Sequence, residues 1–166
     1  MTRYVRLLEP SDAAIYQEIR LEGLRRHPWA FASSFEEEAA QPPEAVTARL
    51  ALDDQPIFGA FLGGALCGIG GLGVQELEKK RHKGTLRGVY VRPGVRRAGL
   101  GRALVSAVVE AARARVAQLH ATAAMCNEPA RRLYRELGFA PYGIEPRGLQ
   151  VNGRFYDQEL LVLVLR

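Results

Sequence analysis

Apolar and polar residues along this chain recur with two different periods, and the changes of period mark its elements. Residues 4–8 read as a short first strand. Ser11 or Asp12 can cap a helix running to about Arg26, with Ile15, Ile19 and Leu24 as its expected buried face, and His27-Pro28 ends it. A second helical region is broken at Pro42-Pro43 and resumes from Glu44 to about Leu52. Residues 57–62 and 66–74 read as strands on either side of Gly63-Gly64, a dipeptide suited to a two-residue hairpin. Residues 86–91 are a further strand, broken by Pro93-Gly94. From Leu100 the spacing turns helical, through Ala103, Leu104, Ala107, Val108, Ala111 and Ala112. Residues 119–125 are a strand rich in small side chains. Pro129 suits the first turn of a helix that runs to Leu137, where Gly138 stops it. Residues 149–151 and 154–165 flank Asn152-Gly153, a strong hairpin signal.

That order predicts a mixed α/β (α+β) layer with a glycine-rich turn at its middle. At 166 residues and 48% hydrophobic, the chain suits one domain over residues 1–166. No apolar run approaches membrane-spanning length, and Arg3, Arg6 and Glu9 interrupt any signal-peptide core, so no membrane partner is expected. Cys67 and Cys126 offer neither a disulfide framework nor metal spacing. They read as reduced thiols of a cytoplasmic protein. His27, His82 and His120 are scattered, and no metal is expected.

The turn Arg96-Arg97-Ala98-Gly99-Leu100-Gly101-Arg102 carries the chemistry. It opens a helix, where first-turn N–H groups lack backbone partners, and the two glycines let an anion approach them. The helix dipole and three arginines complete what reads as a pyrophosphate cradle. Alternatively, the glycines only permit a tight turn and the arginines are a solvated face. Charge distribution favours the cradle: residues 79–102 hold nine basic side chains and no acidic one. Without those nine, 14 basic residues face 18 acidic ones, so the formal charge of +5 becomes −4. Basicity local to the cradle suits one highly charged ligand better than long nucleic acid.

The pattern Arg96-x-x-Gly99-x-Gly101 after Val89-Tyr90-Val91, followed by Asn127, Ala130, Leu133-Tyr134 and Gly138-Phe139, resembles the GCN5-related N-acetyltransferase (GNAT) family. The resemblance implies a central, mostly antiparallel sheet splayed between its fourth and fifth strands and flanked by about four helices. It implies acetyl-CoA as cosubstrate: main chain at Val89, Tyr90 and Val91 pairing with the pantetheine arm, and the turn Arg96, Arg97, Ala98, Gly99, Leu100, Gly101 and Arg102 wrapping the pyrophosphate. Asn127 and Ala130 lie along the arm. Tyr134 lies beside the thioester sulfur as the acid for the departing thiolate. The thioester is expected in the gap between the strands holding Val91 and Thr122.

Attack of an amine on a thioester needs a neutral nucleophile, donors for the carbonyl oxygen and a proton for sulfur. A phenol with an ordinary pKa near ~10 can serve a thiolate whose acid titrates near ~8.5. Some family members carry a basic glutamate where this chain has Thr122, so the base stays open among Glu76, Glu78, His82, His120 and water. The acceptor is expected to be an amine of a small molecule or peptide. Trp29, Phe31, Phe35, Tyr142, Phe155 and Tyr156 are candidate aromatic contacts, and Glu36, Glu37, Glu38 and Asp157 candidate anions for a cationic amine. Cys126 leaves an acyl-cysteine route open. The protein is expected to act as a monomer or homodimer. The alternative from another class is a non-catalytic CoA- or nucleotide-binding sensor or interaction module with the same fold.

Overall fold

The computed structural model describes residues 1–166. One seven-stranded sheet runs through it, from β1 (Arg3–Leu7), β2 (Ile57–Leu62), β3 (Ala65–Val74), β4 (Lys83–Val91), β5 (Gln118–Ala124), β6 (Ala140–Val151) and β7 (Arg154–Val164). Their order across the sheet is β1-β2-β3-β4-β5-β7-β6. Every neighbouring pair is antiparallel except β4 and β5, which are parallel. Five helices flank the sheet: α1 (Ala13–Arg26), α2 (Phe35–Ala39), α3 (Pro43–Leu50), α4 (Leu100–Arg113) and α5 (Glu128–Glu136). The expected number was about four; the region around Pro42-Pro43 divides into two. No helix is long and apolar enough to cross a membrane.

Two apolar layers hold the sheet. On one face Tyr16, Ile19, Leu24, Phe31, Val46 and Leu50 pack on Phe61, Leu66, Ile69 and Tyr90. On the other, Leu104, Val105, Val108 and Ala112 of α4 are fully buried, and Tyr134 and Phe139 join the same layer. Both hairpin signals hold: Gly63 and Gly64, then Asn152 and Gly153, all have φ between 50° and 83°, as the tight mirror-image turns require.

Four expectations need correction. Ile15 is exposed and Tyr16 takes its place in the core. The buried stripe runs Tyr16–Ile19–Gly23–Leu24, and a glycine in an apolar stripe hides its phase. Strand β4 starts three residues early, at Lys83, behind polar and glycine positions. Strand β6 begins at Ala140 and not at Leu149. As an edge strand it tolerates Pro141 and Pro146, and its register shifts at two irregularities against β7. Finally, the nine basic residues do not gather at one place. Lys79, Lys80, Arg81 and Lys83 stand at the start of β4, and about 3.3 Å per strand residue puts them roughly 26 Å from its far end.

Leu104 is fully buried against Gly70, whose ideal Cβ would lie 3.3 Å from Leu104 Cγ. Leu104→Ala should therefore lower stability by about 2–5 kcal/mol in urea unfolding. A loss under ~1 kcal/mol would mean that α4 recloses freely on the sheet.

Candidate active site

The parallel pairing of β4 with β5 covers only Lys83–Gln118, Gly84–Leu119 and Thr85–His120. Beyond it the strands part, so β4 from Leu86 to Val91 has no strand on its β5 side. Between the pairs Ile69–Tyr90 and Gly71–Arg87, β3 has one residue, Gly70, and β4 has two, Val89 and Gly88, of which Gly88 has φ +59°. This is a bulge. It bends β4 at the gap and leaves main-chain groups free there. The side chains of Val89, Tyr90 and Val91 are committed elsewhere: the valines pack toward α4, and Tyr90 is buried against α1. Tyr90 Oη donates to Glu22 Oε1 at 3.0 Å, and burial together with that bond pushes its phenol up to about 12.

At the end of β4 the chain makes a short 3-10 turn over Pro93–Val95, then turns with Arg97 at φ +71° and Gly99 at φ +76° before α4 begins. The N–H groups of Arg97, Gly99, Leu100, Gly101 and Arg102 have no acceptor in the chain. Leu100 is buried, and the Ala98 carbonyl accepts from Arg3. The arginines are largely engaged. Arg92 pairs with Glu22 and Glu18, Arg96 Nε donates to the Val91 carbonyl at 3.1 Å, and Arg102 pairs with Glu136. Arg97 alone among them is exposed with no side-chain hydrogen bond or ion pair. An ideal Cβ on Gly101 would meet only Leu133, at 3.5 Å, and Val91, at 3.8 Å. The turn thus joins the end of β4 to α5.

On α5, Asn127 caps the helix: its Oδ1 accepts from the Ala130 N–H at 3.3 Å, and its Nδ2 has no partner. Tyr134 is 6% exposed, lies against Phe139 and has no hydrogen bond within the chain. Burial pushes its phenol up to about 12. Beneath α5, Glu159 is buried and pairs with Arg131 at 3.1 Å and with Arg135. Arg131 also donates to the Met125 carbonyl at 3.2 Å, tying the helix start to the end of β5.

On the opposite face the gap opens into a cavity of about 1020 Å³, walled by α1, α3, the bulge of β4, Thr122 of β5 and the β6–β7 hairpin. A smaller one of about 520 Å³ shares Phe31 and Leu149 with it and is bordered by Phe35, Glu36 and Glu37. Glu38 is the only carboxylate on the wall of the larger cavity, and it is not free for a cationic amine. Arg20 and Arg49 contact it at 3.3 and 3.1 Å. Burial pushes this carboxyl up, but the two guanidinium groups outweigh that and hold it below its ordinary value. Glu37 closes the cap of α2 with Ser34, and Asp157 accepts the Arg147 N–H at 2.8 Å. Tyr142 and Phe155 are exposed, and Trp29 stacks edge-on with His27. Among the base candidates, Glu76 and Glu78 are exposed ahead of β4, at the closed end of the gap. His120 sits between Gln118 and Tyr142, its pKa lowered by burial and by Lys83 and His82. Cys67 is buried and Cys126 exposed in the turn before Asn127.

Residues 21–139 match the sequence model of the Acetyltransferase (GNAT) family. The chain belongs to that family. No curated protein sequence matches it. Among solved structures, an acetyltransferase of the GNAT family from Streptococcus pneumoniae is 25% identical, with a TM-score of 0.86 over 98% of this chain and 99% of that one. The Salmonella typhimurium protein yncA, solved with its cofactor acetyl-CoA, is 23% identical, with a TM-score of 0.83 over 100% of this chain and 95% of that one. The ribosomal-protein-alanine N-acetyltransferase of Brucella melitensis is 24% identical, with a TM-score of 0.82 over 98% and 99%. The splayed sheet expected from the resemblance is thus the fold of this GNAT chain.

Sequence reasoning missed Gly88, the Arg20–Glu38–Arg49 cluster and Glu159 in this GNAT structure. Glu159 had a signal, as a single acid leading into the apolar run 160–165. The Arg20 cluster had none, because its members come from three helices.

The lowered pKa of Glu38 has a defined sign. Its ion pairs stabilise the fold fully above the ordinary value of 4.5 and lose that effect as pH falls through the lowered folded value. Glu38→Gln should lower stability by about 2 kcal/mol at pH 7, since it leaves the largely buried Arg20 and the half-buried Arg49 without their counterion. The difference in melting temperature should shrink toward pH 3. A constant difference across that range would place the loss in packing.

Proposed function

We propose that this GNAT protein is an acetyl-CoA-dependent N-acetyltransferase acting on a primary amine by direct transfer. The observation that carries the reading is the set of five free N–H groups in the turn at residues 97–102, next to the parted edge of β4. Their number at the start of α4 suits a pyrophosphate, with Arg97 as the uncommitted cation beside the positive end of the helix dipole. Gly101 leaves the approach open.

When bound, acetyl-CoA supplies the acetyl group as a thioester. The chain's part is to hold it and to meet the charges that develop. Main chain at Val89, Tyr90 and Val91 pairs with the pantetheine arm and donates to the carbonyl oxygen as it gains charge. Asn127 Nδ2 and the start of α5 at Ala130 hold the arm from the other side. Tyr134 keeps its proton at every working pH and donates a hydrogen bond to sulfur. At about 12 it lies well above an ordinary thiol, so complete proton transfer to sulfur is uphill. The phenol therefore stabilises the leaving sulfur chiefly as a donor, and the sulfur is protonated finally by way of solvent. No carboxylate or imidazole is free at the gap, so the amine loses its proton to water. Two reduced thiols and this cosubstrate suit a cytoplasmic enzyme. Cys126 is not on the cavity wall, which favours direct transfer over an acyl-cysteine. The non-catalytic alternative gives no reason for a buried phenol without a partner beside the gap.

Two variants test the reading. Gly101→Asp puts a carboxylate among the free N–H groups at a position where the fold accepts a Cβ. Acetyl-CoA affinity measured by calorimetry should fall at least a hundredfold, and unchanged affinity in a folded variant would remove the turn from the site. Tyr134→Phe keeps the ring and deletes the donor. Its kcat should fall by ~10-fold to 10³-fold with acetyl-CoA affinity unchanged, the deficit holding across the working pH range because the phenol stays protonated throughout. Full kcat with acetyl transfer rate-limiting would make Tyr134 a packing residue. Acetyl-CoA binding without CoA release for any amine would identify a sensor.

A further inference from the structure

The larger cavity carries an excess of positive charge. Arg20, Arg49 and Arg87 lie on its wall with Glu38 as the only acid. One carboxylate shared between Arg20 and Arg49 leaves guanidinium donors over. Arg20 contacts Glu38 only through Nη2, at 3.3 Å; its Nε is buried without a partner and its Nη1 has none either. Its side chain is 12% exposed, and the guanidinium lies over the Phe31 ring at 5.0 Å, which fixes its plane. Desolvated guanidinium groups with unused donors are costly unless an anion completes them.

The position of Arg20 ties this charge to the transfer site. An ideal Cβ on Gly88, the bulge residue of β4, would stand 2.9 Å from Arg20 Nη1. Thr122 borders the same cavity from β5. An anion held by Arg20 is therefore beside the gap, and only a short spacer separates it from a nitrogen at the thioester.

We propose that the acceptor is a small amine carrying its own acid group, an amino acid or amino-acid analogue, with the acid held by Arg20 and Arg49 and the amine directed into the gap. The assignment rests on the transferase reading above. In the reaction the nitrogen lone pair forms the bond to the acetyl carbon and the carbon–sulfur bond breaks with its pair to sulfur. The proton given up by nitrogen balances the CoA thiol, and the acid group stays unchanged. Polyamines and aminoglycosides would bring further positive charge against two guanidinium groups. The site selects against them.

The test is CoA release with the twenty amino acids, the primary amide of each one that is acetylated, the diamines putrescine and cadaverine, and short peptides with free N-termini. The acid should exceed its amide at least a hundredfold in kcat/KM, and diamines should be poorer still. Arg20→Gln should reduce the acid-to-amide ratio at least tenfold. The double variant Arg20→Gln with Glu38→Gln keeps the wild-type net charge of these three side chains if the single one folds poorly, and with only Arg49 left to hold the acid it should also lower the ratio. Equal or better turnover of amides or diamines, or of peptide N-termini alone, overturns the assignment while the transferase reading stands. An unchanged ratio in the folded double variant overturns it too. No CoA release with any amine, although acetyl-CoA binds, defeats both.

Discussion

The parting of β4 from β5 after three residue pairs is the constraint on which the rest of the structure depends. A parallel sheet that stayed closed would satisfy its own main chain and offer nothing to a ligand. Here the bulge at Gly88 turns β4 away, and β5 stays with β7 along its whole length. The free edge this creates is expensive to leave bare in a sheet interior, and it is tolerated because helices cover both faces. The two covering layers then acquire separate tasks. The α4–α5 side carries the turn with free N–H groups, and the α1–α3 side closes a charged cavity.

Two buried carboxylates keep those layers in place. Glu159 fastens α5 to β7 through Arg131 and Arg135, and Glu38 joins α2 to α1 and α3 through Arg20 and Arg49. Each lies where apolar packing alone would let a short helix slide. Ion pairs of this kind add little net stability after desolvation, but they are intolerant of displacement. The helix carrying Tyr134 and Asn127 is nine residues long and could not fix its own position.

Much of this was legible in the sequence where one local rule sufficed. Gly63-Gly64 and Asn152-Gly153 specify their turns by backbone conformation alone, and the α4 stripe from Leu100 is long enough to declare its period. Illegible features depended on partners distant in sequence. Strand β6, with Pro141 and Pro146, exists because β7 offers it an edge. Gly23 sits in the buried stripe of α1 because the Tyr90 and Phe31 rings lie against it. The basic run misled for the same reason: contiguity in sequence along an extended strand is separation in space, and of the arginines that remain near the turn Arg92 and Arg102 are paired with carboxylates. Glu38 reads in the sequence as a candidate anion for a cationic amine, and only the fold brings Arg20 and Arg49 to it.

The turn at residues 97–102 offers its ligand peptide groups and very little side chain. Every amino acid except proline brings the same N–H, so the affinity of the proposed cradle resides in the path of the backbone and not in residue identity. Drift in Arg97, Ala98 or Arg102 would alter steering and solubility while leaving the donors in place. A change that shifts the start of α4 by one residue would keep every side chain and lose the site. The positions in this stretch that the chain cannot exchange are those that set its path, Gly99 in its left-handed conformation above all.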